Sequence, residues 1–331
     1  MKDLIKKFVE LTGPSGYESQ VRLAVQAEVQ PYADHIVTDA LGNLIATKGA
    51  KSKNGLKIML SAHMDEIGVI ATHIDDSGFV RFTNIGGVAP RNCIGSRVRF
   101  LNGAQGVIGM EFNANRNFSP DLEELFIDLG AASRADCPVK VGDVAAFERP
   151  FVDLDKRMVA KAMDDRVSVA ILIETLKQIK TTPHQLDFVF SVQEEVGLRG
   201  ATTAAYGLDP DLGLAVDVTA TGDTPKARKM AVELGGGPAV KVRDGGMLAD
   251  PRVVDWMVKT AESARIPYQL EVLLGGTTDA RSIQVARAGV PAGCLSVPTR
   301  YLHTPSEMVD THDVLNSVRL LVALLSQPVA L

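Results

Sequence analysis

Apolar and polar positions change period along the chain. From Asp3 to Leu11 apolar residues fall at Leu4, Ile5, Phe8, Val9 and Leu11, the spacing of one helical face, and Gly13-Pro14-Ser15-Gly16 ends the run. A second helical stretch covers about Glu18 to Gln30. Two short apolar segments follow, Asn43 to Ala46 and Leu56 to Leu60, separated by a Lys/Gly/Asn-rich turn. They predict a hairpin or adjacent strands, the second running straight into Ser61-Ala62-His63-Met64-Asp65.

From about Ile67 to Val159 the texture changes. Short β-branched or aromatic pieces (Val69-Ile70, Phe79-Val80, Val98-Arg99-Phe100, Val107-Ile108, Leu125-Phe126-Ile127, Val144) alternate with Gly, Pro and Asn turns, and no long helical pattern interrupts them, which predicts a small all-β unit. Beyond it, Val169, Leu172, Ile173, Leu176 and Ile179 share one helical face, and Leu186 to Val192 is a nearly unbroken apolar strand. Strands at Leu212 to Val216, Pro238 to Val242, Tyr268 to Val272 and Ala292 to Val297 then alternate with helices near Arg252 to Ala264, Ala280 to Ala288 and Val314 to Leu325. Such alternation implies an α/β sheet covered on both faces. Because the pattern lies on both sides of the β unit, the expected organisation is a discontinuous α/β/α domain, residues 1–66 and 158–331, carrying an inserted β-rich domain, residues 67–157.

A chain of 331 residues fits two domains with a large core. Lys+Arg 35 against Asp+Glu 40 gives a formal net charge of -5, and no stretch gathers basic residues, so neither nucleic acid nor an anionic membrane is an expected partner. Cys93, Cys137 and Cys294 are far apart, without Cys-x-x-Cys spacing or the even count of a disulfide framework, which fits a reducing cytosol. Met1 to Glu10 lacks the apolar core of a signal peptide, and no run approaches the roughly 20 apolar residues of a membrane helix. A cytoplasmic location is expected.

Polar residues collect at or just beyond the ends of apolar strands, where open α/β sheets place their ligand sites. His63 and Asp65, two apart, point to one side of an extended strand, so the carboxylate could hold the imidazole as metal-bound histidines are held; an exposed polar strand end is the equal alternative. Asp164 and Asp165 precede an amphipathic helix, where capping explains one carboxylate well and the second less well. Glu194-Glu195 closes an apolar strand; the pair can serve one site only if the backbone turns, which Gly197 would permit, and a solvated acidic turn is the other reading. Asp217 and His303 follow further apolar strands. His35, His73, His184 and His312 sit in turns or polar segments without acidic partners and read as surface or packing residues. Together the set offers two His and several carboxylates, with one Glu to spare as a base. Zinc-like cations take such N and O ligands, and two cations sharing a carboxylate make a hydrolytic site.

Six ordered strings carry a resemblance: Gly13-Pro14-Ser15-Gly16, His63-Met64-Asp65-Glu66-Ile67-Gly68, Lys161-Ala162-Met163-Asp164-Asp165-Arg166, Val192-Gln193-Glu194-Glu195-Val196-Gly197, Val216-Asp217-Val218-Thr219 and Pro298-Thr299-Arg300-Tyr301-Leu302-His303. The chain resembles the M42 family of metallo-aminopeptidases over essentially its whole length. The resemblance implies a zinc-peptidase-like α/β/α catalytic domain with an inserted dimerisation domain, and two divalent ions per subunit, zinc or cobalt. It implies that His63 and His303 are ligands, that Asp164 bridges the two metals, that Glu195 and Asp217 complete the other metal, that Glu194 is the general base and that Asp65 orients His63. The implied reaction is hydrolysis of the first peptide bond of a short peptide with a free N-terminus, and the implied assembly runs from dimers to a hollow tetrahedral dodecamer. One departure stands out. Gly275-Gly276-Thr277-Thr278-Asp279-Ala280 carries an extra Thr, in a loop that the resemblance places at the substrate pocket through Gly276, Thr277, Thr278 and Asp279; a turn with an N-cap is its plain reading. Arg243, Asp244 and Arg281 are charged, and surface solvation accounts for each.

Three other readings compete. A related metal-dependent deacylase or carboxypeptidase would use a similar metal pair on a blocked amine or a free carboxylate. A glycosidase built on Glu194 and Glu195 would need carboxylates on opposite sides of a sugar bond at roughly 5–9 Å, and would leave His63 and His303 idle. A non-catalytic peptide-binding relative would keep the fold without the chemistry.

Overall fold

The computed structural model describes residues 1–112 and 120–329, so residues 113–119 of the expected insert and 330–331 of the expected catalytic domain lie outside the described residues. Among those described, eleven strands form one mixed sheet and six more close into a barrel.

The sheet follows from strands that are apolar on both faces. Gln185–Ser191, Lys57–His63, Leu212–Thr219 and Ala292–Arg300 run parallel through its centre, in the spatial order in which they are named. Their alternate residues feed different cores. Ile58, Leu60, Phe188, Phe190, Leu214 and Val216 pack against helices Lys2–Val9, Ser19–Val29, Met163–Gln178, Pro251–Ser263 and Thr311–Leu325. Met59 and Val189 pack on the other face against helices Arg199–Leu208 and Asp279–Gln284. This is the α/β/α layering expected of a doubly covered sheet. Gly213 lets the second face pack closely, since a Cβ there would lie 2.2 Å from Ile283 Cγ2. Among the described residues no helix is long and apolar enough to cross a membrane.

The barrel joins Gly68–Ile74, Val80–Ile85, Leu125–Asp128, Gln105–Met110, Arg97–Phe100 and Val144–Glu148, all antiparallel, around its own core that includes Val69, Phe82, Val98, Ile108, Leu125 and Phe147. Its strands all fall between the two sheet strands Lys57–His63 and Arg157–Ala160. The molecule is thus an α/β protein with a second, small β domain.

Several expectations needed correction. The segments at Leu44–Lys48 and Lys57–His63 are not a hairpin or neighbours: Gln185–Ser191 lies between them, antiparallel to the first and parallel to the second. Gln185–Ser191, buried at every position but its first, takes a place where both faces are covered, a tertiary preference that outweighs closeness in sequence. The helix expected over Ala280 to Ala288 stops at Gln284, and helix Arg199–Leu208 went unrecognised because its buried side is made of Gly200, Ala201, Ala204 and Ala205. His35 and His73 lie on strands, and His184 is fully buried, its Nδ1 accepting from the Leu56 amide at 3.0 Å.

Candidate metal centre

The parallel strands end on one side of the sheet, and every singled-out acid and histidine of the candidate set is delivered there. His63 is the last residue of its strand, Asp217 lies two residues before the end of strand Leu212–Thr219, and Glu194-Glu195 follows Gln185–Ser191. Left-handed backbone at non-glycine residues flanks the ligand-bearing turns: Ala162, Gln193, Leu198, Tyr301 and His303 itself all have positive φ. Such conformations gather where surrounding structure holds a functional geometry in place. Asp164 and Asp165, at the start of helix Met163–Gln178, turn their carboxylates to other partners than the helix amides expected for an N-cap: Asp164 faces the histidines, and Asp165 Oδ2 accepts from the His63 amide at 3.1 Å.

Two three-residue groups have donor atoms close enough to hold one cation each: His63, Asp164 and Asp217, and Asp164, Glu195 and His303. Asp164 belongs to both. Its Oδ1 lies 3.0 Å from His63 Nε2 and its Oδ2 3.3 Å from His303 Nε2, so one carboxylate faces both groups. Glu195 Oε2 is 3.4 Å from His303 Nε2. Glu195 and Asp217, expected to serve the same metal, therefore fall on opposite sides of Asp164. Glu194 Oε2 is 4.0 Å from His63 Nε2 and belongs to neither group.

Asp65 lies where His63 meets the Glu pair, its backbone carbonyl 3.1 Å from His63 Nδ1. Its Oδ1 lies 3.4 Å from His63 Nδ1, and its carboxylate also accepts from the amides of Glu194 (3.0 Å) and Glu195 (3.2 Å) and from Ser15 Oγ (2.6 Å). One buried carboxylate thus ties His63 to the turn carrying the Glu pair. Ser15 comes from the Gly13–Gly16 loop, which is itself tied down where Gly13 N donates to Glu66 Oε1 at 2.9 Å. Glu66 is in turn clamped by Lys161 Nζ (2.7 Å) and Arg166 Nη2 (3.0 Å), all three buried.

The electrostatics fit cations. Burial pushes the carboxyls of Glu194, Glu195 and Asp217 up, with neighbouring carboxylates adding to the effect, Glu195 to about 7. Burial opposes charge on His63 and His303 too, but their carboxylate partners win: His63 is held well above its ordinary value and His303 rises to about 10. Those imidazolium charges hold Asp164 far below the usual carboxylate range despite its burial. Glu195 Oε1 is buried without a protein partner. Clustered acids that repel unless something positive joins them, and a buried acceptor left over, are what a pair of divalent ions would satisfy.

The six acids and histidines line a cavity of about 770 Å³. Gly276, Thr277 and Thr278 border it as expected, and Thr278 also caps helix Asp279–Gln284 through its hydroxyl. Asp279 does not border it: this buried carboxylate accepts from Ser61 Oγ and Ser191 Oγ, both at 2.6 Å, beneath the site. Asp244 is buried rather than solvated and accepts from the amides of Gly246 and Met247. Lys241 sits at the cavity wall paired with Glu271 at 2.5 Å, whereas Arg228 and Arg281 bring exposed positive charge to the rim.

Sequence reasoning missed Glu307. This buried residue accepts from the amides of Asp164 (3.0 Å) and His303 (2.9 Å), fixing the backbone of two candidate ligands at once. Nothing in its spacing betrays that role. Glu66, Lys161 and Arg166 stand inside the resembling strings, and that place is the signal the sequence offers; their joint burial is visible only in the fold.

A family profile described as M42 glutamyl aminopeptidase matches residues 42–320. The chain belongs to the M42 family. Among its relatives, lysyl aminopeptidase of Pyrococcus furiosus is 35% identical, covering 98% of this chain and 96% of that protein. An aminopeptidase structure from the archaeon Desulfurococcus kamchatkensis is similar at a TM-score of 0.94 and 42% identity, over 98% of this chain and 94% of that one. The TET1 peptidase of Pyrococcus horikoshii, described as able to assemble into a tetrahedron or a large octahedral shell, is similar at a TM-score of 0.87 and 33% identity, over 98% and 99%. As an M42 member the chain is a hydrolase of peptide bonds of the aminopeptidase kind, from a family whose chemistry uses divalent metals.

Proposed function

We propose that this M42 protein removes the N-terminal residue from short peptides at a pair of divalent ions, zinc or cobalt, with His63 and Asp217 holding one, Glu195 and His303 the other, and Asp164 shared. The observation that carries the reading is Asp164, whose two oxygens each face a different group of ligands. When bound, such ions polarise a scissile carbonyl and make water a competent nucleophile near neutral pH. Glu194 stands beside the ligands without joining either group, which suits it to take the proton of the attacking water and return it to the leaving amine. Asp65 holds His63 and, through two backbone amides, keeps the Glu194 turn in register with it. Gly276, Thr277 and Thr278 border the space for the substrate's first residue. We further propose that residues 67–157 act as a dimerisation domain and that dimers build a tetrahedral dodecamer, a reading supported by the assemblies described for the Pyrococcus horikoshii peptidase.

The test is an assay on free-amine aminoacyl substrates with Glu, Leu and Lys in the first position beside one acetylated control, after chelator treatment and resupply with zinc or cobalt. Cleavage restored by metal and confined to free amines is expected. Cleavage of the acetylated control would move the protein to the deacylases, and turnover unaffected by metal removal would overturn the metal centre.

A further inference from the structure

We propose that Gly87, which belongs to the barrel segment and supplies no ligand, positions His303 and thereby governs occupancy of the ion site formed by Asp164, Glu195 and His303. The inference rests on the metal-centre reading above. Gly86 and Gly87 follow strand Val80–Ile85 at the barrel rim, and the turn is fixed where Asn84 Nδ2 donates to Gly86 O at 2.7 Å and Val88 N to the same oxygen at 3.1 Å. Both glycines lie against the second ligand group. A Cβ at Gly86 would sit 3.0 Å from Glu195 Cβ and 3.1 Å from its Oε2. At Gly87 it would sit 2.4 Å from His303 Nδ1 and 2.6 Å from Cε1, closer than real Cβ atoms approach anything.

The two positions differ in a way that makes Gly87 the informative one. Gly86 has φ +75, where any side chain strains the backbone, but Gly87 is not in the left-handed region, so an added methyl conflicts chiefly with the imidazole. That ring ends a side chain still 41% exposed, and it yields more readily than the barrel. The same ring presents Nε2 to Asp164 and Glu195 at 3.3 and 3.4 Å. Turning it away from a methyl at position 87 therefore removes a donor from one ion site, while His63, Asp164 and Asp217 keep theirs. The bare backbone of Gly87 is the wall against which His303 is set.

Gly87→Ala tests this, with Gly207→Ala as control, a position where a Cβ meets nothing within 4 Å and the backbone is not left-handed. Purified chains, checked by thermal unfolding, are equilibrated with cobalt, and ions per chain are read by elemental analysis and by the cobalt absorption spectrum. Wild type and Gly207→Ala are expected to bind two. Gly87→Ala is expected to keep one at wild-type affinity and to bind the second roughly 10–100-fold more weakly, the cost seen when a ligand's support is removed. His303→Ala should weaken the same ion, and adding Gly87→Ala to it should cost nothing more. Two ions bound normally by Gly87→Ala would overturn the assignment, as would equal loss of both ions or additive effects in the double variant. Fewer than two ions on the wild type would instead sink the centre itself.

Discussion

Asp164 and Glu194 show how much depends on single carboxylates whose neighbours differ. Asp164 is held ionised by two imidazoles, whereas Glu194, one step outside the ligand groups, is pushed up by burial and by Asp217, Asp279 and Glu195. A group that is proton-loving and yet not a ligand is placed for proton transfer. Glu194→Gln is therefore expected to lower kcat by about 10²–10⁴-fold, with metal content unchanged; elemental analysis beside steady-state kinetics checks both halves. The histidines give a pH prediction. With His303 near 10, its imidazole carries a proton at neutral pH in the metal-free chain, His63 is shifted in the same direction by its carboxylate neighbours, and a cation at either ring must displace such a proton. Apparent metal affinity should then rise with pH through the neutral range and fall on acidification, by about tenfold per pH unit for each proton displaced. Chelator competition at several pH values measures that slope, and a flat profile would contradict it. At this scale the sequence made legible the candidate set that the fold brings together, because His and acids at strand ends are unusual company. It did not reveal the division into two groups, which depends on where Asp164 sits, nor Glu307, whose work is to accept two backbone amides. Glu307→Ala should weaken metal binding by roughly 10–100-fold, read in the same competition assay.

Between elements, the site is held by buried charge as much as by hydrophobic packing. Glu66 joins the loop Gly13–Gly16 to helix Met163–Gln178 through Lys161 and Arg166, and Arg166 adds bonds to the carbonyls of Phe8, Gly13 and Met64. Burial pulls the Lys161 pKa down to about 8 even with Glu66 beside it. Removing the carboxylate would strand two cations in the interior, and breaking a buried pair in this way costs about 3–5 kcal/mol. Urea unfolding of Glu66→Ala should show that loss; a variant as stable as wild type would mean the triad is solvated in solution. The elements legible from sequence were those carrying many large apolar residues, such as Met163–Gln178 and Gln185–Ser191. Where the buried face is lined by small residues, as in Arg199–Leu208, no large apolar side chains mark the pattern even though packing is tight. Strand order was illegible at the first crossover because it is decided by which strand can be buried on both faces, a property of the assembled sheet.

For the whole molecule, one consequence concerns biosynthesis. His63 and Asp164 touch at 3.0 Å although 101 residues, including the whole barrel, separate them, and His303 comes later still. Contacts of such long range close late and at high entropic cost. A growing chain therefore carries His63 and Asp65 through the synthesis of the whole barrel before Asp164 exists to meet them. Under the proposed reading, the ion group that includes His303 is complete only once the barrel and every sheet strand before His303 have been made, so its loading follows the synthesis of those segments rather than accompanying it.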